Sequence, residues 1–145
     1  MIKERNEVDL NVEELVELLS QFREKSKTMT IKDYSSILES FPENQKMFLY
    51  LNKDFSLMGC VTILLEQKLY HDGRMVCHIE DLVVDSRHHK QGIGTKLIEH
   101  VLDYAKAHNC YKIILNCNSD LEKYYERNGF KKKEIQMSIY LNEPI

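Results

Sequence analysis

Apolar residues fall at Val12, Leu15, Val16, Leu19 and Phe22, and this spacing predicts an amphipathic helix. Asn11 followed by Glu14 reads as its capping box. Thr30 with Asp33 opens a second helix with Tyr34, Ile37, Leu38 and Phe41 on one face, and Pro42 stops it. Ile2 to Arg5 is a candidate first strand. Met47 to Leu51 and Ser56 to Glu66 flank the turn chemistry of Asn52-Lys53-Asp54, which predicts a hairpin. After the turn His71-Asp72-Gly73, Met75 to Val84 continues the strands. Alternation there sends Glu80 and Leu82 to one face and Asp81 and Val83 to the other, so the two carboxylates share a face only if the strand bulges.

Asp85 to Gln91 is polar and reads as a loop. Ile93, Leu97, Ile98, Val101, Leu102 and Ala105 define a longer amphipathic helix. Lys112 to Cys117 reads as a strand covered on both faces. Asp120 to Asn128 reads as a helix stopped by Gly129, and Ile135 to Leu141 as a last strand. The predicted order is β-α-α-β-β-β-α-β-α-β, a mixed α/β domain of 145 residues with no repeat and no linker long enough to divide it.

Composition narrows the class. The chain is 43% hydrophobic and 30% charged, with a net charge of −3 that gives no reason to expect a nucleic-acid or membrane partner. No run is long and apolar enough to span a bilayer, and the charged stretch Met1 to Leu10 lacks the apolar core of a signal peptide. The four cysteines, Cys60, Cys77, Cys110 and Cys117, form no Cys-x-x-Cys pair. They read as reduced thiols of a cytoplasmic protein. His88 and His89 lack a third ligand at helix or hairpin spacing, so no metal is expected.

Gly92 and Gly94 stand between a strand and the start of a helix. The first turn of a helix carries unpaired N–H groups and a partial positive charge, and glycine lets an anion approach the backbone. Lys90, Gln91, Gly92, Ile93, Gly94 and Thr95 can therefore present amides to a pyrophosphate. The spacing is neither that of a P-loop nor that of a dinucleotide fingerprint, whose third glycine position here is Leu97. A plain helix-entry turn is the alternative.

The segment His78 to Phe130 resembles the GNAT acetyltransferase superfamily. Leu82-Val83-Val84 precedes His89-Lys90-Gln91-Gly92-Ile93-Gly94, and Tyr124-Tyr125-Glu126-Arg127-Asn128-Gly129-Phe130 follows. Three further stretches are similar to the eukaryotic glucosamine 6-phosphate N-acetyltransferases: Glu66 to His71, His78 to Val84 and Cys110 to Leu115. The resemblance implies a GNAT fold with a mixed central sheet flanked by helices. It implies acetyl-CoA as cosubstrate, no metal, and acetylation of the 2-amino group of glucosamine 6-phosphate on the route to UDP-N-acetylglucosamine. It also implies a homodimer whose last strand contributes to the interface.

Carried over by position, the resemblance assigns the backbone of Leu82, Val83 and Val84 to the pantetheine arm and Lys90 to Thr95 to the pyrophosphate. Asn116, Tyr125 and Arg127 join the coenzyme set. Tyr125 is the candidate acid for the departing thiolate. Asn116 marks where the ammonium of the acceptor loses its proton, through water or a backbone carbonyl. Lys68, His71, Glu80, Asp81, Tyr111 and Lys112 match positions that line the sugar-phosphate site. These residue types suit the chemistry: a phenol can protonate a thiolate, carboxylates accept from sugar hydroxyls, and cations hold phosphate.

The chain departs from the family pattern at His89, Asn116, Leu121 and Tyr140. Asn116 stands where an acidic residue is usual, and an amide cannot act as a base. His78 reads as a core residue, and Lys131-Lys132-Lys133 as a solvated turn. Two other functions remain open at this point: acetylation of a protein N-terminus, lysine or polyamine, and a non-catalytic acetyl-CoA sensor.

Overall fold

A computed structural model describes residues 1–142. The chain forms two compact units, 1–115 and 116–145.

In the first unit, β1 (Ile2–Glu4), α1 (Val12–Leu19), α2 (Ile31–Glu39), β2 (Gln45–Leu51), β3 (Leu57–Gln67), β4 (Met75–Val84), α3 (Ile93–Ala107) and β5 (Cys110–Ile114) follow one another. The strands form one sheet in the order β1-β2-β3-β4-β5. Neighbours are antiparallel except β4 and β5, which run parallel across the α3 crossover.

Each sheet face has its own cover. Leu15 and Leu18 of α1 and Leu38 of α2 pack with Met47, Leu49, Leu51, Cys60 and Val83. On the other face α3 buries Ile93, Leu97, Ile98, Val101 and Ala105. Gly59 of β3 lies against this helix: a Cβ there would sit 3.0 Å from the Val83 carbonyl oxygen and 3.2 Å from Ile93 Cγ2. The α3 helix start is therefore seated directly on the sheet.

Helix starts follow the capping expectation at one site and depart from it at another. Thr30 and Asp33 form the reciprocal box at α2. Asn11 accepts from the Glu14 N–H, but the Glu14 carboxylate does not return to Asn11; it accepts instead from the N–H of Leu57 at 2.6 Å. This ties α1 to the start of β3. Helix α1 ends before Phe22, which is 46% exposed rather than part of the buried stripe, and Ile37 of α2 is also exposed.

The strand expected over Lys112 to Cys117 is shifted. β5 ends at Ile114, and Lys112 and Ile114 are exposed, so it is not covered on both faces. In the second unit a short 3-10 turn, Ser119–Leu121, leads into α4 (Glu122–Arg127). Gly129 follows with φ +95°, a left-handed conformation that ends the helix. The last strand expected over Ile135 to Leu141 does not form. That stretch has no strand pairing, and Ile135, Met137 and Ile139 are 88%, 90% and 88% exposed. Alternation of side chains alone does not make a strand without a partner edge.

Candidate functional site

The register of β3 against β4 slips by one residue. Val61 opposes Leu82, whereas Ile63 opposes Ile79, so Thr62 faces two residues, Glu80 and Asp81. This is a β-bulge. Side-chain alternation puts His78 and Glu80 on the face of Leu64, and it puts Asp81 and Val83 on the face of Cys60. Leu64 and Cys60 share one face of β3, so the bulge turns both carboxylates toward the α1/α2 side. Burial raises the pKa of Asp81, opposed by the nearby cation of Arg23. Glu80 is exposed.

A chain of polar groups runs across this face. Lys68 Nζ lies 3.0 Å from Glu66 Oε2, and Glu66 Oε1 lies 2.9 Å from His78 Nε2. His78 Nδ1 is 3.9 Å from Glu80 Oε1. The hydrogen bonds from His78 and Lys68 hold the Glu66 carboxyl below its ordinary range, and Glu66 holds Lys68 above its own. Beside them the rings of His71 and Tyr111 stack at 3.9 Å, with Lys112 Nζ 5.6 Å from the Tyr111 ring centre. His71 and Asp72 both take left-handed backbone, φ 52° and 58°, which makes this turn tight.

Thus Lys68 and Glu80 are joined through Glu66 and His78, while His71 and Lys112 each meet the ring of Tyr111, whose hydroxyl acts electrostatically on Lys68. Glu66 and His78 were absent from the predicted site, and His78 is half-buried and paired rather than a core residue. Part of the signal was in the sequence: His78 and Glu80 are two apart on one strand and share a face, and Glu66 lies on the adjoining strand with Lys68 two residues on, just past its end.

The parallel β4–β5 pairing stops at His78 and Ile114, whereas β4 continues to Val84. From Ile79 to Val84 the β5-side backbone groups of β4 have no β5 partner. Beyond Val84, Asp85 is buried and accepts from the N–H and the guanidinium of Arg87. This holds its carboxyl well below the usual carboxylate range. His89 Nε2 lies 3.0 Å from the Val84 carbonyl oxygen and must donate to it.

The chain then turns through Lys90 (φ 67°) and Gly92 (φ 76°), both left-handed, into α3. The first intrahelical bond there runs from the Lys96 N–H to the Gly92 carbonyl, and among the described residues no side chain caps the start. The N–H groups of Ile93, Gly94 and Thr95 thus lack helical acceptors. Such a terminus attracts an anion.

Within the second unit, Tyr125 is half-buried, with the rings of Tyr124 and Phe130 edge-on at 5.1 and 5.8 Å. Burial pushes its phenol up to about 12, with smaller contributions from Tyr124 and Cys117. Asn116, Arg127 and Leu121 are exposed. Among the described residues no cluster of His, Cys, Asp or Glu is arranged to hold a metal. A surface depression of about 720 Å³ between α1 and α2, lined by Glu13, Glu17, Lys25, Thr30 and Tyr34, contains none of the predicted site residues.

The sheet is mixed, and its parallel pair parts beside a helix start whose amides are free to meet an anion. The chain belongs to the acetyltransferase (GNAT) family, whose profile matches residues 12–130. Among curated proteins it is 39% identical, over 82 residues, to a probable glucosamine 6-phosphate N-acetyltransferase 2 of Oryza sativa subsp. japonica, covering 57% of this chain and 48% of that one. It is 38% identical over 81 residues to the glucosamine 6-phosphate N-acetyltransferase of Arabidopsis thaliana, covering 56% and 54%. The matched stretch thus spans about half the length of these curated relatives. Among solved structures, an acetyltransferase of Trypanosoma brucei matches with TM-score 0.86 at 25% identity, covering 97% of this chain and 99% of that one. The Arabidopsis glucosamine-6-phosphate N-acetyltransferase matches with TM-score 0.81 at 27% identity, covering 98% and 99%.

Proposed function

We propose that this chain transfers the acetyl group of acetyl-CoA to the 2-amino group of glucosamine 6-phosphate. The observation that carries the reading is the β4 bulge. It turns Glu80 and Asp81 to the face that also holds Lys68, so acceptors for sugar hydroxyls and a donor for phosphate stand together. The names of the relatives agree with this substrate.

The residues present fit acetyl-CoA. The unpaired β5-side edge of Leu82, Val83 and Val84 suits an extended arm that pairs as an added strand. The amides from Lys90 to Thr95 suit a pyrophosphate, with Gln91 and the two glycines leaving the backbone accessible. Arg127 adds a cation to the coenzyme set. The thioester supplies the activated acetyl group. The N–H groups of the open β4 edge serve as donors to the oxygen that gains charge during transfer.

Lys68, His71 and Lys112 bind the sugar phosphate, and Tyr111 stacked on His71 fixes that ring. Glu80 and Asp81 orient the sugar through its hydroxyls. Tyr125 donates a proton to the departing thiolate, and its raised pKa keeps the phenol protonated at neutral pH. Asn116 has no basic atom, so its part is to hold a water or carbonyl route for the ammonium proton. The match over 12–130 spans both compact units and supports one functional domain across 1–145. The exposed apolar positions from Ile135 to Leu141 support a homodimer in which this stretch meets a second copy. Three buried cysteines and one exposed cysteine, all unbridged, support a cytoplasmic setting. No helix among the described residues is long and apolar enough to cross a membrane.

The test is product identification. Purified protein with acetyl-CoA and glucosamine 6-phosphate should give N-acetylglucosamine 6-phosphate by NMR and mass spectrometry. Acetylation of spermidine or peptides in its place would move the chain to another acceptor. Binding of acetyl-CoA without transfer to any amine would favour a sensor.

A further inference from the structure

We infer that Glu66 and His78 are positioning residues for the acceptor. They fix the separation between the cation that receives the phosphate and the carboxylate that orients the sugar. The inference rests on the substrate reading above and adds two residues to it.

The geometry is that of a clamp. Glu66 uses both carboxylate oxygens, one toward Lys68 Nζ at 3.0 Å and one toward His78 Nε2 at 2.9 Å. Because a carboxylate only accepts, His78 donates from Nε2, and its ring plane is set by that bond. The ring's other nitrogen then faces Glu80 Oε1 at 3.9 Å. That distance is too long for a direct hydrogen bond and suits a bridging water or a small approach when a ligand closes on Glu80. Glu66, His78 and Glu80 come from two adjacent strands, with Val76 opposite Glu66 and His78 opposite Leu64, so the backbone ladder holds them in register, and Lys68 follows directly on the end of β3.

Lys68 and Glu80 have no short link of their own. Without Glu66, Lys68 is a long side chain free to sample many rotamers, and ordering it on binding costs affinity. Without His78, Glu66 loses one of its two donors and Glu80 loses the neighbour that limits its motion. Neither Glu66 nor His78 needs to touch the reacting atoms. Their effect falls on the acceptor and not on acetyl-CoA, because the chain of contacts begins at Lys68 and ends at Glu80.

Steady-state kinetics of Glu66→Gln, His78→Leu and His78→Gln would test this, with acetyl-CoA and glucosamine 6-phosphate varied in turn and melting temperature recorded for each variant. Loss of one charge-assisted hydrogen bond corresponds to about a tenfold change. Glu66→Gln and His78→Leu should therefore raise KM for glucosamine 6-phosphate about tenfold, with KM for acetyl-CoA unchanged. His78→Gln retains an N–H donor near the Nε2 position and should recover most of the loss relative to His78→Leu. A merely structural role would lower the melting temperature and move both KM values together, without rescue by Gln; that result, or unchanged kinetics in all three variants, overturns the inference. Failure of the unsubstituted protein to acetylate glucosamine 6-phosphate overturns the substrate reading, and this inference with it.

Discussion

Gly59→Ala probes the seat of the proposed coenzyme site from behind. Gly59 is buried in β3 and has no left-handed backbone, so alanine is conformationally acceptable there. The obstacle is space. The new Cβ would lie 3.0 Å from the Val83 carbonyl oxygen, which is backbone, and 3.2 Å from Ile93 Cγ2 at the first residue of α3. Ordinary contact begins near 3.4 Å, so β4 and the helix start must each yield by a few tenths of an ångström. Overpacking of a close-fitted core costs about 1–3 kcal/mol. Replacing glycine in a regular element returns about 0.5–1 kcal/mol. The net expectation is a loss of roughly 0.5–2 kcal/mol, or on the order of 2–8 °C in melting temperature for a chain of this size. The displaced groups are also the two walls proposed to hold the coenzyme, the Val83 strand edge and the α3 amides. KM for acetyl-CoA should rise severalfold while KM for the acceptor stays fixed. Calorimetry and initial-rate kinetics on the same preparation give both numbers. An unchanged melting temperature together with an unchanged KM would refute the claim that β3, β4 and α3 meet without slack.

Thr62→Val should stabilise the protein on the order of 1 kcal/mol in urea unfolding, because Thr62 Oγ1 is buried opposite the bulge with no hydrogen-bond partner among the described residues; a loss instead would reveal an ordered water on that hydroxyl. Tyr125→Phe should leave acetyl-CoA binding intact by calorimetry and lower turnover about 10²–10⁴-fold, the range for a general acid; full activity would remove the phenol from the mechanism. Asp85 has its folded pKa depressed by Arg87, so its contribution is complete above the unfolded value near 3.9 and is lost as pH falls through the lower folded value. Asp85→Asn should accordingly cost about 1 kcal/mol at pH 7, with the gap to the unsubstituted protein closing below about pH 4; a gap that stays constant with pH would point to packing instead of charge.

Much of the sheet was legible because its strands alternate and its turns carry Asn, Asp and Gly. The hairpin of β2 and β3, the long β4 and the α3 stripe fall within a residue or two of expectation. Errors arose where a local pattern depends on a distant partner. Glu14 has the right spacing for a capping box, yet the Leu57 N–H offers its carboxylate a better bond. Ile135, Met137, Ile139 and Leu141 alternate as a strand does, but no neighbouring edge pairs with them. The apolar run after Lys112 says nothing about where β5 leaves β4.

The site was legible in a similar, partial way. Helix periodicity and glycine placement locate the start of α3, where the anion site is proposed, from the residues alone. The grouping of Lys68, His71, Tyr111 and Lys112 came from family resemblance, since these positions lie far apart in sequence. Whether Glu80 and Asp81 share a face hinged on a one-residue slip in register, which alternation cannot reveal. The Glu66–His78 pair was missed because a histidine within an apolar strand is ordinarily a packed residue, and only the cross-strand register brings Glu66 to it.

The most direct test of the central claim compares kcat/KM for glucosamine 6-phosphate with that for glucosamine, following thiol release from acetyl-CoA. The proposed binding of the sugar phosphate by Lys68, His71 and Lys112 predicts a preference of at least about a hundredfold for the phosphorylated sugar, the yield of two charge-assisted contacts. Equal values, or release with neither sugar but with a peptide or polyamine amine, would contradict the account.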